Sequence, residues 1–452
     1  MARRRYPLLL ALLLLAGCTG GHTSAGPAAD EGPGEIVVAS GRDVTGKGGI
    51  REQLIAAWNT RQRKAGSGYR ARLVELPGNA DEQRSQLLGA LQSGSADYDV
   101  VNLDVTWVPE FAAAHLVRPL PAGTVDADVI KSVADTARWD GKVYAAPFNS
   151  DVGLLYYRTD LLKRAQVSQP DLNQGISWAR LQELSRAVRQ ALPDVAGWTT
   201  QLGAYEGRTV NAIEAFASAD PDFELTDSHG HYDSSVGKLT TALAELRSRT
   251  DPSYTLPAAF QSDEADSLGD FADGRTEFLR QWPYAYRTLH QSLAPTQLGV
   301  APLPGRAVLG GQNLAVTESS GRAAKAAELI RYLTGKQSER CLLDAGFAAT
   351  RTSAYQDNNV TCGVGSAPTP SASPTGESTD RMPRDPAGRP AYARTTLLPA
   401  LRKAVQRPRT PLYGAFTQTF TAQLGPLFRD DPPSDATLAK SLDAALRKAL
   451  PD

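Results

Sequence analysis

Hydrophobic and polar positions follow two periods along the first third of the chain. Short runs with β-branched residues at 35–40, 71–76 and 98–103 read as strands. Each is followed by a stretch, at 50–63, 81–91 and 109–115, whose apolar residues recur at helical spacing. Repetition of strand and helix predicts a parallel-type sheet covered by helices, the α/β class. A fourth run at 142–148 leads into 152–157. The pattern is then mostly helical, at 178–191, 206–217, 235–249 and 263–272. A helix pair is expected at 322–333 and 336–345, and the last helices at 395–405, 411–424 and 435–450.

Two segments break the periodicity. Residues 363–390, GVGSAPTPSASPTGESTDRMPRDPAGRP, are so rich in Pro, Ser, Gly and Thr that a disordered insert is expected. At the N-terminus, Arg3, Arg4 and Arg5 precede an apolar run ending at Gly17. That run is shorter than the ~20 residues needed to span a bilayer, so residues 1–17 read as an export signal. Leu-Ala-Gly-Cys at its end resembles the lipobox of bacterial lipoproteins, which implies that Cys18 is lipidated and becomes the new N-terminus. A plain cleaved signal with a chance cysteine is the alternative. Residues 18–34, rich in Gly, Ser, Ala and Pro, would form a flexible stalk.

Composition narrows the function. The formal charge of −1 becomes −4 once residues 1–17 are removed, and nothing in that balance suggests a nucleic-acid partner. With 452 residues, 41% of them hydrophobic, the chain can build two lobes. Of the three cysteines, Cys341 and Cys362 remain after the lipobox. In an oxidising compartment they would form a disulfide, contributing about 3 kcal/mol, or else be two buried thiols.

Local motifs argue mainly against chemistry. Gly41-Arg-Asp-Val-Thr-Gly46-Lys47-Gly48 nearly matches a phosphate loop, but Gly48 lacks the hydroxyl that would hold magnesium. The milder reading is a strand-to-helix turn exposing backbone N–H groups where ligands often bind, or a plain tight turn. His229-Gly-His231 lies within a polar turn without a third ligand nearby, so no metal is expected, and no cofactor either. There is no G-x-S-x-G elbow, no H-E-x-x-H helix and no evident triad.

Four longer segments carry more information: GKVYAAPFNSDVGLLYYRTDLL (141–162), FADGRTEFLRQWPYAYR (271–287), LGGQNLAVTESSGRAAKAAELIRYLTGKQSE (309–339) and RPRTPLYGAFTQTF (407–420). Together they resemble the extracellular solute-binding proteins of ABC sugar importers, over residues 35–450 apart from the insert. Within that family residues 76–120 and the Arg-Pro-x-Thr-Pro-x-Tyr segment are most similar to the trehalose-binding lipoproteins of actinobacteria. The resemblance implies a two-lobed periplasmic-binding-protein-like fold, with a ligand cleft between lobes joined by three hinge crossings. The crossings are expected near Asn149, Leu309 and Thr352. Lobe 1 would comprise 35–149 and 310–352, and lobe 2 150–309 and 391–452. It further implies a monomer that is lipid-anchored on the outer face of the cell membrane and catalyses nothing. Its partners would be a di- or oligosaccharide and the transmembrane subunits of an ABC permease with their cytoplasmic ATPase.

The same resemblance places Asp104, Glu264, Trp282, Gly310, Gly311 and Arg407 at the sugar. Sugar hydroxyls need acceptors, which Asp104 and Glu264 supply, and a fork of donors, which Arg407 supplies. Trp282 offers an aromatic face to a pyranose ring, and Gly310 and Gly311 fall where backbone approaches sugar. Asp151 stands where trehalose receptors carry asparagine. An acid there accepts hydrogen bonds but donates none. Taken alone, Glu264 reads as a solvated helix start and Arg407 as part of a surface charge cluster, whereas Asp104 ends a predicted strand, where open α/β sheets bind ligands. Two rival readings are a tethered glycosidase using two of Asp104, Asp151 and Glu264, and a cell-wall interaction protein whose insert contacts a partner.

Overall fold

The described residues of the computed structural model are 32–42, 49–94, 97–167, 172, 175–364 and 380–450. The signal segment, Cys18, most of the stalk, the turn at 43–48 and insert residues 365–379 lie outside them. The β-branched runs become β1 (Glu35–Gly41), β2 (Arg70–Leu76) and β3 (Val100–Asp104). A short hairpin follows, β4 (Arg138–Trp139) with β5 (Lys142–Val143), then β6 (Ala146–Val152) and β7 (Leu154–Arg158). The remaining strands are β8 (Ala196–Thr199), β9 (Thr276–Gln281), β10 (Leu298–Pro302) and β11 (Leu309–Val316).

These strands form two main sheets, one per lobe. The first has the order β2-β1-β3-β11-β6, the second β10-β7-β9-β8. The expected parallel pairing holds for β1 with β2 and β3, and for β8 with β9. Strand β11 instead runs antiparallel between β3 and β6, because it returns to the first sheet from the second lobe.

Apolar spacing explains how the helices cover the sheets. Trp178–Ala191 buries Leu181, Leu184 and Val188 on one stripe against the second sheet. Ala323–Leu333 likewise buries Ala326, Leu329, Ile330 and Leu333 against the first. Burial of each leucine or isoleucine contributes roughly 1.5–3 kcal/mol. Four helices, Glu206–Ala219, Val236–Arg249, Tyr413–Leu424 and Asp435–Ala449, pack on one another and complete the second lobe.

The lobes exchange chain at three neighbouring points. Strand β6 runs past the expected crossing at Asn149 and the chain passes at Gly153 into β7; β11 begins just after Val308. The third crossing lies at Val405 rather than near Thr352, since Val405 N–H donates to Ala307 O and its own carbonyl accepts Leu309 N–H. Before that point Leu398–Lys403 packs on β6 and on the Lys131–Ala134 helix, so residues expected in lobe 2 lie against lobe 1.

The described end of the insert also departs from expectation. Residues 380–390 are packed: Met382 and Arg389 are buried, and Arg389 donates to Tyr355 O, Asn358 Oδ1 and Asp385. Arg340, also buried, donates to Val360 O and Ala387 O. Order here comes from arginines satisfied by backbone carbonyls, which composition does not reveal. Cys341 and Cys362 form a disulfide, with Cα atoms 4.5 Å apart.

Candidate ligand-binding site

Asp104 closes β3 at the C-terminal edge of the first sheet. Its Oδ1 accepts from Thr106 N at 2.9 Å and from Thr106 Oγ1 at 2.7 Å, which fixes the carboxylate at the start of the following turn. Arg407, two residues past the third crossing, reaches it with Nη2 at 2.9 and 3.2 Å. The same guanidinium donates through Nη1 to Glu206 Oε1 at 2.6 Å. Glu206 begins the helix Glu206–Ala219 and also accepts from Tyr413 Oη at 2.5 Å and Thr417 Oγ1 at 2.7 Å. Arg407 is buried; burial alone would lower its pKa, but the neighbouring Asp104, Tyr413 and Glu206 outweigh that and hold it well above the ordinary value.

The facing wall is built from the second lobe and the hinge. Asp263 caps the helix Glu264–Ala272 by accepting from Ala265 N and Asp266 N, which places Glu264 at the helix start. Glu264 accepts from Tyr205 Oη at 2.8 Å and from Trp282 Nε1 at 3.4 Å. Trp282 follows β9. Its six-membered ring lies against Gly310, where an added Cβ would sit 3.1 Å from Cζ3. The Arg280 guanidinium carbon lies 3.8 Å from the Trp282 ring centroid, a cation–π contact.

Asp151 joins the two walls. It lies on β6 in register with Gly310 of β11, and its Oδ2 accepts from Asn149 Nδ2 at 3.4 Å. Its carboxyl keeps some solvent contact, yet burial pushes its pKa up to about 7. Arg51, Arg280 and Arg407 pull it down and Asp104 pushes it further up. Burial thus favours the protonated carboxyl far more than at an exposed acid, and in that form Asp151 can offer an O–H.

The structure brings Asp104 and Arg407 into contact, links Glu264 to Trp282, and sets both Trp282 and Asp151 against Gly310. It separates the two glycines in role. Gly311 has φ +114°, and a side chain there would collide with Asn149 O and Ser150 of the adjacent strand. Packing within the sheet is enough to require glycine at this position. Residues missed by sequence reasoning include Arg51, which binds Ser40 Oγ, Gly41 O, Asn149 Oδ1 and Gln312 Oε1 from within an amphipathic helix. Tyr284 is another, since Glu264 and Asp151 add to the burial that raises its phenol pKa. Asp81 is a third: burial raises its pKa, and the nearby backbone of Glu206, from the other lobe, offsets part of that. The lobes touch again where Arg84 packs on Gly414. His231 pairs with Asp227 at 3.2 Å in the polar turn. Among the described residues no cluster of His, Cys, Asp and Glu is placed to hold a metal ion, and no helix is long and apolar enough to cross a membrane.

Carboxylates, a guanidinium and an aromatic ring from both lobes thus gather beside the hinge crossings, a combination of groups suited to a polar solute. A model of the family described as bacterial extracellular solute-binding protein matches residues 56–367. A probable ABC transporter-binding protein of Deinococcus radiodurans is 30% identical over 307 residues, 65% of this chain and 72% of that protein. Among solved structures the fold is similar to maltose-bound MalE3 of T. maritima, with TM-score 0.74 and 21% identity over 92% of this chain and 100% of that one. It is also similar to the GacH receptor of Streptomyces glaucescens, solved unliganded and with acarbose. There the TM-score is 0.72 and the identity 19%, over 92% of this chain and 98% of that one.

Proposed function

This chain belongs to the bacterial extracellular solute-binding proteins, and from that premise we propose that it captures a carbohydrate by cleft closure and delivers it to an ABC permease. Membership of a solute-binding family makes it a binding protein rather than an enzyme, which removes the glycosidase reading. The observation that carries the carbohydrate reading is the pairing of Trp282 with Glu264 on one wall and of Arg407 with Asp104 on the other. An aromatic face bounded by carboxylates and a guanidinium suits a pyranose, whose C–H edge is apolar and whose hydroxyls both donate and accept. The maltose and acarbose bound by the structural relatives support the same class of ligand.

The first candidate is an α-linked disaccharide such as trehalose. A protonated Asp151 supplies the O–H donor that the asparagine of trehalose receptors supplies as N–H, so the substitution is compatible with that sugar. Lipid attachment at Cys18 would keep the receptor beside its permease; mass spectrometry of the mature protein, with Cys18→Ser as control, tests it. The reading as a whole is tested by calorimetric titration of residues 19–452 with trehalose, maltose, sucrose and glucose, alongside Trp282→Ala. Saturable one-to-one binding that is markedly weaker in the variant supports it, and a folded protein indifferent to all four sugars overturns the disaccharide assignment.

A further inference from the structure

The three crossings converge on one buried ion pair. Glu214, in the helix Glu206–Ala219, and Arg280, in β9, form a bidentate contact with Nη2–Oε1 2.8 Å and Nε–Oε2 3.1 Å. Their side chains are 3% and 1% exposed, so neither can reach solvent. Glu214 Oε1 also accepts the backbone N–H of Val308 at 3.1 Å, at the second crossing. The first crossing lies on the same carboxylate, since any side chain at Gly153 would collide with it. Gly153 N–H donates to Val308 O, and the residues on either side of Val308 hold Val405 of the third crossing through Val405 N–H to Ala307 O and Leu309 N–H to Val405 O. On its other side Arg280 stacks on Trp282 at 3.8 Å. One planar guanidinium thus touches both the cleft's aromatic ring and the acid that grips the hinge. A buried pair is by itself weak evidence of stabilisation, because desolvation offsets the attraction. Its place between ring and hinge is what calls for a role.

We propose that Glu214 and Arg280 are positioning residues that transmit the seating of a sugar on Trp282 to the hinge crossings, and so set the affinity of the cleft without touching the sugar. This rests on the reading of Trp282 as the sugar platform. Displacing the ring moves a rigid fork, the fork moves the carboxylate, and the carboxylate holds Val308 in one of two lobe arrangements.

The test compares the parent with Trp282→Ala, Gly153→Ala and the double variant Glu214→Gln/Arg280→Gln, which keeps hydrogen-bonding capacity but leaves no charge buried alone. Trehalose is the calorimetric probe, and small-angle scattering is recorded with and without it. Cooperative melting identifies the folded variants. Expected are trehalose binding weakened about thirtyfold in Trp282→Ala, and in both hinge variants a loss of affinity of about tenfold together with a changed ligand-free radius of gyration. Folded hinge variants with the parent's affinity and the parent's ligand-free profile overturn the proposal. If the parent itself ignores trehalose, the trehalose assignment fails. The ligand-free scattering then decides the hinge role alone: a shift supports it and an unchanged profile removes it.

Discussion

The two walls of the cleft spend their polar groups differently. On the Asp104 side most groups satisfy one another: Arg407 is shared between two carboxylates through its two Nη atoms, Glu206 receives three donors, and Arg407 Nε is left without a hydrogen-bond partner. On the Trp282 side satisfaction is partial, with long bonds of 3.4 Å at Trp282 Nε1 and at Asp151. Charge-assisted bonds in a buried network lock geometry, whereas weakly held groups remain available to a ligand. The first wall is therefore chiefly a frame and the second chiefly a reader. Removing a group from the frame should register in stability, and removing one from the reader should register in binding.

The largest effect is expected from Arg407→Met. The substitution leaves Asp104 and the buried Glu206 facing each other without their cation, which costs about 3–5 kcal/mol of unfolding free energy. Urea denaturation measures it. A loss below about 1 kcal/mol would show that the frame relaxes freely and would erase the distinction between the walls.

Within the second sheet, Glu277 of β9 shows what burial does to an acid that has no cation. It is 0% exposed, and neither carboxylate oxygen has a hydrogen-bond partner. Burial raises its pKa from 4.5 to about 8. Below pH 4.5 folded and unfolded chains both carry the proton, so nothing is lost. As pH rises from 4.5 to 8 the unfolded chain ionises first, and the fold is progressively penalised. Glu277→Gln should consequently be more stable than the parent by roughly 2–3 kcal/mol at neutral pH and equal to it near pH 4, as read from denaturation curves across that range. A constant difference at all pH values would place the carboxylate beside a compensating charge.

Some of this architecture is legible in sequence because it depends on local spacing. Strand runs, amphipathic helices and the Asp263 cap are set by neighbours a few residues apart. Arg51 is not legible, because its partners Asn149 and Gln312 lie 98 and 261 residues away and its own helix gives no sign of them. The third crossing depends on a brief pairing of Val405 with Val308, too short to impose any period. Residues 380–390 mislead for a different reason: their order is polar, with Arg384 donating to Asp344 O and Gly388 O, while composition reports only apolar content. Of the site residues, Asp104 alone is placed by local chemistry. Trp282, Glu264 and Arg407 come into view through the family resemblance.

A reader residue should show the opposite behaviour to Arg407. Trp282→Ala is expected to weaken sugar binding by about 2 kcal/mol, roughly thirtyfold, and to change unfolding free energy by less than Arg407→Met does. Calorimetry and denaturation on the same preparation give both numbers. Equal losses in the two would mean that Trp282 belongs to the frame, through Arg280, rather than to the reader.

Asp151 gives the smallest and most diagnostic effect, since it sits between the walls and titrates near pH 7. If the sugar takes its proton as a hydrogen bond, affinity is steady at pH 5 to 6 and falls by up to about tenfold as the group ionises between pH 6 and 8. Asp151→Asn keeps a donor at every pH, so the variant should bind across the whole range about as tightly as the parent does at pH 6. An affinity that instead rises with pH would make the carboxylate an acceptor. The preferred ligand would then be one with a hydroxyl donor at that point, and the comparison with asparagine-bearing trehalose receptors would no longer hold. The sign of the slope therefore decides which hydrogen-bonding partner the cleft selects, and the variant decides whether this one carboxyl accounts for it.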